Sequence, residues 1–154
     1  MVTIRPKTSV TMKMTAVGDS HSKSVVSVRD VAVTIDEPTE RGGTNLGLTP
    51  TETMIASLIG CTNVISKKIA HKAGFELGEL SFDVSVKFDR RGVTLVEEVE
   101  TPFSDLVMNI EAKTDATPEQ FEAMKVDLAK YCAIAKVMRA SGISITENWT
   151  TLPL

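Results

Sequence analysis

The feature that most constrains the fold is a long helix that the sequence predicts from Pro50 to residue 73. Thr49 suits the N-cap, and Pro50 suits the first helical position. Glu52 lies three residues after Thr49, as in a capping box. Gly74 is a typical residue just past a helix C-terminus. At about 1.5 Å per residue the helix would be roughly 36 Å long, so it would cross most of a domain of this size.

An apolar stripe runs along this helix and predicts that one face is buried. Its members recur every three or four residues, which is the helical period. They are Met54, Leu58, Cys61, Ile65 and Ile69. A free cysteine in such a stripe is often a small buried hydrophobe. From helix position alone, Cys61 is therefore more simply a core residue than a reactive one.

The rest of the chain predicts an α+β fold. Before the long helix, alternating apolar and polar residues indicate three short strands, and a glycine-containing loop over residues 40–48 follows them. The strands lie over residues 10–16, 26–28 and 31–35. After the helix, the pattern indicates two strands, two helices and a last strand. The two strands lie over residues 80–88 and 106–112, the two helices over residues 118–130 and 133–140, and the last strand over residues 143–149. Because no linker divides the chain, we expect a single domain over residues 1–154.

Charge and hydropathy exclude several classes of protein. The net charge of −3 gives no reason to expect a nucleic-acid partner. The longest apolar-rich stretch is too short and too polar to span a membrane, and residues 1–7 contain no apolar signal core. We therefore expect a cytoplasmic protein. In that compartment, two cysteines are more often free, catalytic or redox-active than a structural disulfide.

The two cysteines are the main candidates for chemistry. Cys132 precedes a predicted helix, whose free N–H groups would stabilise a thiolate, although it could equally be filler between two helices. The wide separation of Cys61 and Cys132 in sequence excludes a CxxC motif and zinc-ligand spacing. No glycine pattern matches a phosphate or dinucleotide loop, so we expect neither a metal nor a cofactor. The spacing leaves open whether the two sulfurs meet.

A longer motif resembles a known family. Residues 41–52 read Arg-Gly-Gly-Thr-Asn-Leu-Gly-Leu-Thr-Pro-Thr-Glu, and Met-Ile-Ala-Ser-Leu-Ile-Gly then leads to Cys61-Thr62. This is similar to the signature of the OsmC/Ohr family, the osmotically induced and organic-hydroperoxide-resistance proteins. In that family a Gly-Gly loop, a proline and a long helix carry the first cysteine. A second cysteine begins a later helix, as Cys132 does in Lys-Tyr-Cys-Ala-Ile-Ala-Lys-Val. The resemblance covers nearly the whole chain.

The resemblance implies a fold and a mechanism. The fold would have antiparallel sheets packed on a long central helix, in an intertwined homodimer. Cys61, as a thiolate, would attack the O–O bond of an organic hydroperoxide, and Cys132 would convert the resulting sulfenic acid to a disulfide. A dithiol reductant would then restore both thiols. The protein would thus serve in defence against oxidative stress.

Three departures from the family pattern leave the activity open. Peroxidases of the family have Glu directly after the proline, where this chain has Thr51, and Glu52 lies about 100° further around the helix. The family's arginine is missing from the first hairpin turn, residues 17–22, so Arg41 is the candidate substitute, with Arg29 behind it. Ala133 replaces the proline that often follows the second cysteine. Glu52 and Arg41 are therefore candidate supporting residues. The alternatives are a non-peroxidatic binding module for a small apolar or thiol-containing ligand, and a structural dimer with inert thiols.

Overall fold

The structure is a computed structural model that describes residues 8–154. Residues 1–7, in which the sequence shows no signal core, lie outside the described residues. Besides one short 3-10 helix at Thr39–Arg41, the described elements are six strands and three α-helices, which confirms the α+β prediction. In chain order they are β1 (Thr15–Gly18), β2 (Ser24–Val28), β3 (Val31–Ile35), α1 (Pro50–Ala73), β4 (Leu77–Phe88), β5 (Phe103–Thr114), α2 (Pro118–Tyr131), α3 (Ala133–Ala140) and β6 (Ser144–Leu152). Residue contacts divide the chain into two compact units, with the boundary between Ile55 and Ala56. The single-domain expectation stays a prediction.

The first unit contains an antiparallel sheet in the order β1-β2-β3. The predicted strands at 26–28 and 31–35 are confirmed within β2 and β3. The prediction for 10–16 is wrong over residues 10–14, because β1 begins only at Thr15, where its pairing with Ser27 of β2 begins. Alternation alone does not make a strand, since a strand's backbone N–H and C=O groups need partners.

The glycine loop of the first unit is fastened to the end of β3 by Asp36. This side chain is fully buried. One carboxylate oxygen accepts the backbone N–H of Glu37 at 2.8 Å, and the other accepts those of Thr44 at 3.0 Å and Leu46 at 3.2 Å. The hydroxyl of Thr44 also donates to this second oxygen. This hydrogen bond is the main reason that the pKa of Asp36 falls to about 2. An aspartate that is ionised at neutral pH therefore holds the loop.

Two glycines let the loop approach β3 closely. A Cβ atom at Gly43 would lie 1.7 Å from the carbonyl oxygen of Glu37, and one at Gly47 would lie 2.0 Å from that of Thr34. No side chain fits at such distances from a backbone atom. The glycines of the motif are therefore required for packing, and the loop they form leads directly into the start of α1.

Helix α1 has the bounds that the sequence predicts. Its capping box is formed, since Glu52 accepts the Thr49 N–H at 2.8 Å and the Thr49 hydroxyl accepts the Glu52 N–H at 3.2 Å. The buried stripe, however, is displaced from the predicted one, and only Leu58 belongs to both. Its members in the second unit are Leu58, Thr62, Ser66 and Ala70. The most buried positions of α1 are thus mostly small or polar, while Cys61 is half-buried.

The second unit is built on a sheet in the order β4-β5-β6. Strand β4 runs antiparallel to β5, but β6 runs parallel to β5. The expectation of antiparallel sheets is therefore corrected for this edge, because α2 and α3 form the crossover that a parallel neighbour requires. One face of β5 is fully buried and carries Leu106, Met108, Ile110 and Ala112. Next to it, the rings of Phe121 and Trp149 meet edge to face at 5.6 Å. Within the described residues, no helix is both long and apolar enough to cross a bilayer.

Candidate active site

The structure brings the two cysteines together in the second unit. Cys61 lies near the middle of α1 and is half-buried, and Cys132 is only 1% exposed. Both are free thiols, and Cys61 lies near enough to Cys132 to raise the pKa of the Cys132 thiol. The two side chains are therefore neighbours in the fold, a point that the sequence spacing left open.

Cys132 lies at a break between two helices. Its N–H donates to the Leu128 carbonyl at 2.9 Å and so ends α2, while its own carbonyl accepts the Lys136 N–H at 3.1 Å and begins α3. Between these bonds its backbone is extended, with φ −71° and ψ 101°. The break turns the chain and places the sulfur at the N-terminal end of α3, where backbone N–H groups favour negative charge.

The surroundings of Cys132 keep its thiol protonated. Burial is the largest effect and raises the pKa of Cys132, and the hydrogen bond and negative charge of Cys61 raise this pKa further. The Ala135 backbone N–H and the Thr62 hydroxyl lower it, although the sulfur forms no full side-chain cap on α3. Chemically, a thiol that stays protonated beside a second thiol can donate a hydrogen bond to that neighbour.

Thr62 is a site residue that the sequence analysis missed. It is 1% exposed, and its side chain lowers the pKa of Cys132, against the larger effect of burial. The available signal was a polar residue directly after a cysteine on a helix with many apolar neighbours. Thr62 can be recognised as a site residue only when its neighbour Cys132 is known, and Cys132 is distant in sequence.

Glu52 and Arg41 belong to the first unit, and both have partners there. The hydrogen bonds of Thr49 are the main reason that the pKa of Glu52 is lowered, and the charge of Arg41 lowers it further. The Nε atom of Arg41 lies 3.1 Å from a carboxylate oxygen of Glu37. Glu52 is thus a capping residue and Arg41 an ion-pair partner. A role for either beside Cys61 stays a prediction.

The first hairpin contains no arginine but does contain other basic residues. Between β1 and β2, Lys23 pairs with Asp19 at 3.0 Å. His21 is exposed, and its Nε2 atom would lie 3.2 Å from a Cβ atom at Gly42, so the ring lies against the glycine loop. The residues next to Arg41 are therefore in contact with the hairpin turn.

The described residues also form clefts away from the cysteines. A cleft of about 550 Å³ opens on the polar face of the second sheet, with Asp83, Asn109 and Glu111 in its lining. A smaller cleft of about 210 Å³ lies beside Phe121 and Trp149. Neither cleft includes a cysteine. Among residues 8–154, no group of histidine, cysteine, aspartate and glutamate side chains is arranged to hold a metal ion.

Comparison with known proteins identifies one family and several solved structures with a similar fold. The family model described as OsmC-like protein matches residues 43–148. No curated protein sequence matches the chain. An OsmC-like protein from Mycoplasma pneumoniae has a similar structure, with a TM-score of 0.77 and 15% identity over 93% of this chain and 98% of that one.

Two further solved structures share the fold. One is a putative osmotic stress induced and detoxification response protein from Psychrobacter arcticus, with a TM-score of 0.69 and 13% identity over 96% of this chain and 100% of the other. The other is an organic hydroperoxide resistance protein from Bacillus subtilis, with a TM-score of 0.61 and 18% identity over 92% and 98% of the two chains. At these identities the likeness shows the fold.

Proposed function

Because this chain belongs to the OsmC-like protein family, we propose that it is a thiol-dependent hydroperoxide reductase, with Cys61 as the peroxidatic and Cys132 as the resolving cysteine. The observation that supports this most directly is that the two free thiols are neighbours, near enough for Cys61 to raise the pKa of Cys132. A substrate of the organic hydroperoxide class is supported by the solved structure from Bacillus subtilis, whose name refers to organic hydroperoxide resistance.

The proposed reaction uses the two sulfurs in sequence. The Cys61 thiolate attacks the terminal oxygen of the hydroperoxide, so that an S–O bond forms and the O–O bond breaks. Cys61 becomes a sulfenic acid, and the leaving alkoxide takes up the proton that the Cys61 thiol released and departs as the alcohol. The Cys132 sulfur then attacks the Cys61 sulfur, and the hydroxyl group leaves as water with the Cys132 proton. A dithiol reductant converts the resulting disulfide back to two thiols and is itself oxidised to a disulfide. The closeness of the two thiols favours the second step over further oxidation of Cys61.

We further propose that the protein acts as a homodimer in the cytoplasm in defence against oxidative stress. Support for a dimer comes from the first unit, where many apolar side chains are more than half exposed, as is common at protein interfaces. They include Val10, Met12, Met14, Val17 and Leu46. Support for the cytoplasm comes from the two free thiols, which a reducing compartment preserves.

The test is consumption of cumene hydroperoxide or tert-butyl hydroperoxide driven by a dithiol. We expect turnover by the wild type, none by Cys61→Ser, and no sustained turnover by Cys132→Ser. Lys68→Ser, at an exposed position of α1, controls for general effects of substitution on this helix. Activity that survives in Cys61→Ser would contradict the assignment.

A second candidate function is a binding module for a small apolar or thiol-containing molecule. It is favoured by the first unit, where Glu52 caps α1 and Arg41 is paired with Glu37, so that both already have structural roles. Native mass spectrometry of the purified protein would show a bound ligand. Formation of a Cys61–Cys132 disulfide with one equivalent of hydroperoxide would exclude this alternative.

A further inference from the structure

Strand β6 has a charged side chain on its inward face. Ile145, Glu147 and Trp149 are half-buried and alternate with exposed residues, so their side chains point to the same side of the sheet. Two of the three are apolar or aromatic, but Glu147 has a carboxylate, and its side chain is only 15% exposed. Because burying a charge costs free energy unless the charge is paired, we expect Glu147 to have close partners.

Both carboxylate oxygens of Glu147 accept a hydrogen bond. The Nη2 atom of Arg139, in the last turn of α3, donates to one of them at 2.9 Å and forms an ion pair. The Nε1 atom of Trp149 donates to the other at 3.4 Å. The Trp149 ring in turn meets the ring of Phe121, in the first turn of α2. Two neighbouring side chains of β6 therefore hold the start of α2 and the end of α3.

Cys132 lies where the other ends of these two helices meet, since α2 ends and α3 begins at its backbone hydrogen bonds. Helix α3 has eight residues and is about 12 Å long, and so short a helix is not stable by itself in water. Its direction therefore depends on its contacts, which include the buried side chains of Ala135 and Met138 and the ion pair of Arg139. A movement of its far end would also move the end next to Cys132.

We propose that Arg139 and Glu147 form a positioning pair for the resolving step, which fixes α3 against β6 and so holds the Cys132 sulfur where it attacks Cys61. This inference rests on the proposed function, because it assumes that Cys132 is the resolving cysteine. A disulfide requires Cβ atoms roughly 3.5–4.5 Å apart, and a displacement of about 1 Å can slow a positioned reaction by about 10²-fold. An ion pair at the far end of a short helix can therefore control the rate of disulfide formation.

The test measures disulfide formation without peroxide, using a substoichiometric amount of the chromogenic disulfide DTNB. The Cys61 thiolate attacks DTNB, a mixed disulfide forms, and one thionitrobenzoate leaves as a thiolate. Cys132 loses its proton to the buffer, attacks the Cys61 sulfur and displaces the second thionitrobenzoate. The rate of the second release is recorded against pH. Its midpoint reports the ionisation of Cys132, and its plateau at high pH reports the position of the sulfur.

We expect Arg139→Met, which removes the charge and keeps an unbranched stem, to lower the plateau rate of the second release about tenfold. Glu147→Gln should lower it about threefold, because a neutral acceptor forms a hydrogen bond roughly half as strong. The first release should not change, since neither residue lies on α1. The pH midpoint should also stay unchanged, because neither residue contributes to the altered pKa of Cys132.

Two control variants separate position from general stability, which urea unfolding measures for every protein. Ile145→Val removes one methylene group from the same face of β6 and should lower stability without changing the plateau rate. Lys113→Met removes an ion pair with Glu79, at 2.8 Å between β5 and β4, and should also leave the plateau rate unchanged. The double variant Arg139→Met/Glu147→Gln should be no slower than Arg139→Met, because the two residues act as one unit.

The result that would overturn the proposal is a wild-type plateau rate in Arg139→Met and Glu147→Gln, or an equal slowing by Ile145→Val at an equal loss of stability. If Arg139→Met does not fold, Glu147→Gln against Ile145→Val decides. A wild type that releases both thionitrobenzoates but ignores hydroperoxide would refute the peroxidase and not the positioning pair. A second release that survives in Cys132→Ser would contradict both.

Discussion

Substitution of Gly43 by alanine tests whether the glycine loop is a packing feature. The change adds one methyl group, and its carbon would lie 1.7 Å from the Glu37 carbonyl oxygen. The carbonyl oxygen is a backbone atom and the Cβ atom is bonded directly to the backbone, so no side-chain rotation relieves the overlap. To reach ordinary contact, the loop and the end of β3 must separate by about 1.5 Å or more.

The expected cost follows from what that separation breaks. Two backbone hydrogen bonds join the segments at this point, from Gly43 to the Pro38 carbonyl at 3.1 Å and from Asn45 to the Glu37 carbonyl at 3.1 Å. At about 1 kcal/mol each, with about 1–3 kcal/mol for overpacking, the free energy of unfolding should fall by about 3–5 kcal/mol. For a chain of this length that corresponds to a decrease in Tm of roughly 6–20 °C.

Thermal and urea unfolding followed by circular dichroism would measure this effect. Gly18→Ala is the matched control in the same unit, because its Cβ atom would meet only the Ser24 hydroxyl at an ordinary 3.8 Å. We expect that variant to be unchanged or stabilised by up to about 1 kcal/mol. If Gly43→Ala and Gly18→Ala unfold within about 1 kcal/mol of each other, the packing argument for the loop is refuted.

Three further predictions concern charge and chemistry. The pKa of Asp36 is about 2 in the folded chain against an ordinary 3.8, so the stabilisation by its carboxylate should be complete above pH 3.8 and lost as pH falls through about 2. Asp36→Asn should therefore be less stable at neutral pH, and its Tm should fall less steeply in acid. An equally steep decrease of Tm in acid would contradict this. Glu52→Gln keeps an acceptor for the Thr49 N–H, so the free energy of unfolding should fall by less than about 1 kcal/mol. Because Glu52 serves as a cap, kcat/KM for hydroperoxide should be unchanged. A large loss of activity would show that the carboxylate takes part in the reaction. Peroxide should leave Cys132→Ser with a sulfenic acid on Cys61 that dimedone traps, and absence of the adduct in the mass spectrum would count against Cys61 as the site of attack.

Helix α1 was predictable because its signals are local. The Thr49 cap and Gly74 lie in the sequence next to the ends that they determine, and both predicted ends agree with the structure. The strand predicted over residues 10–14 was wrong because strand formation depends on a partner at another position in the chain. The parallel pairing of β6 with β5 was missed for the same reason.

The candidate site shows the same division between local and distant information. Cys61 and Cys132 could be selected from their residue type, but their closeness in the fold could not, since no rule of spacing relates two residues on separate helices. Thr62 and Asp36 were missed because each is important through partners that the sequence does not place beside it. The sequence therefore predicted which atoms could react, and the structure supplied which atoms meet.

The motif that carries the family resemblance is explained by packing. Within residues 41–52, Gly43 and Gly47 permit close approach to β3, while Thr49 and Glu52 form the cap of α1. Every one of these roles would be needed in a family member without peroxidase activity. The motif is thus evidence for the fold. The case for chemistry depends instead on Cys61, where the motif ends, and on its neighbour Cys132, and it is there that substitution should separate an enzyme from a binding protein of the same fold.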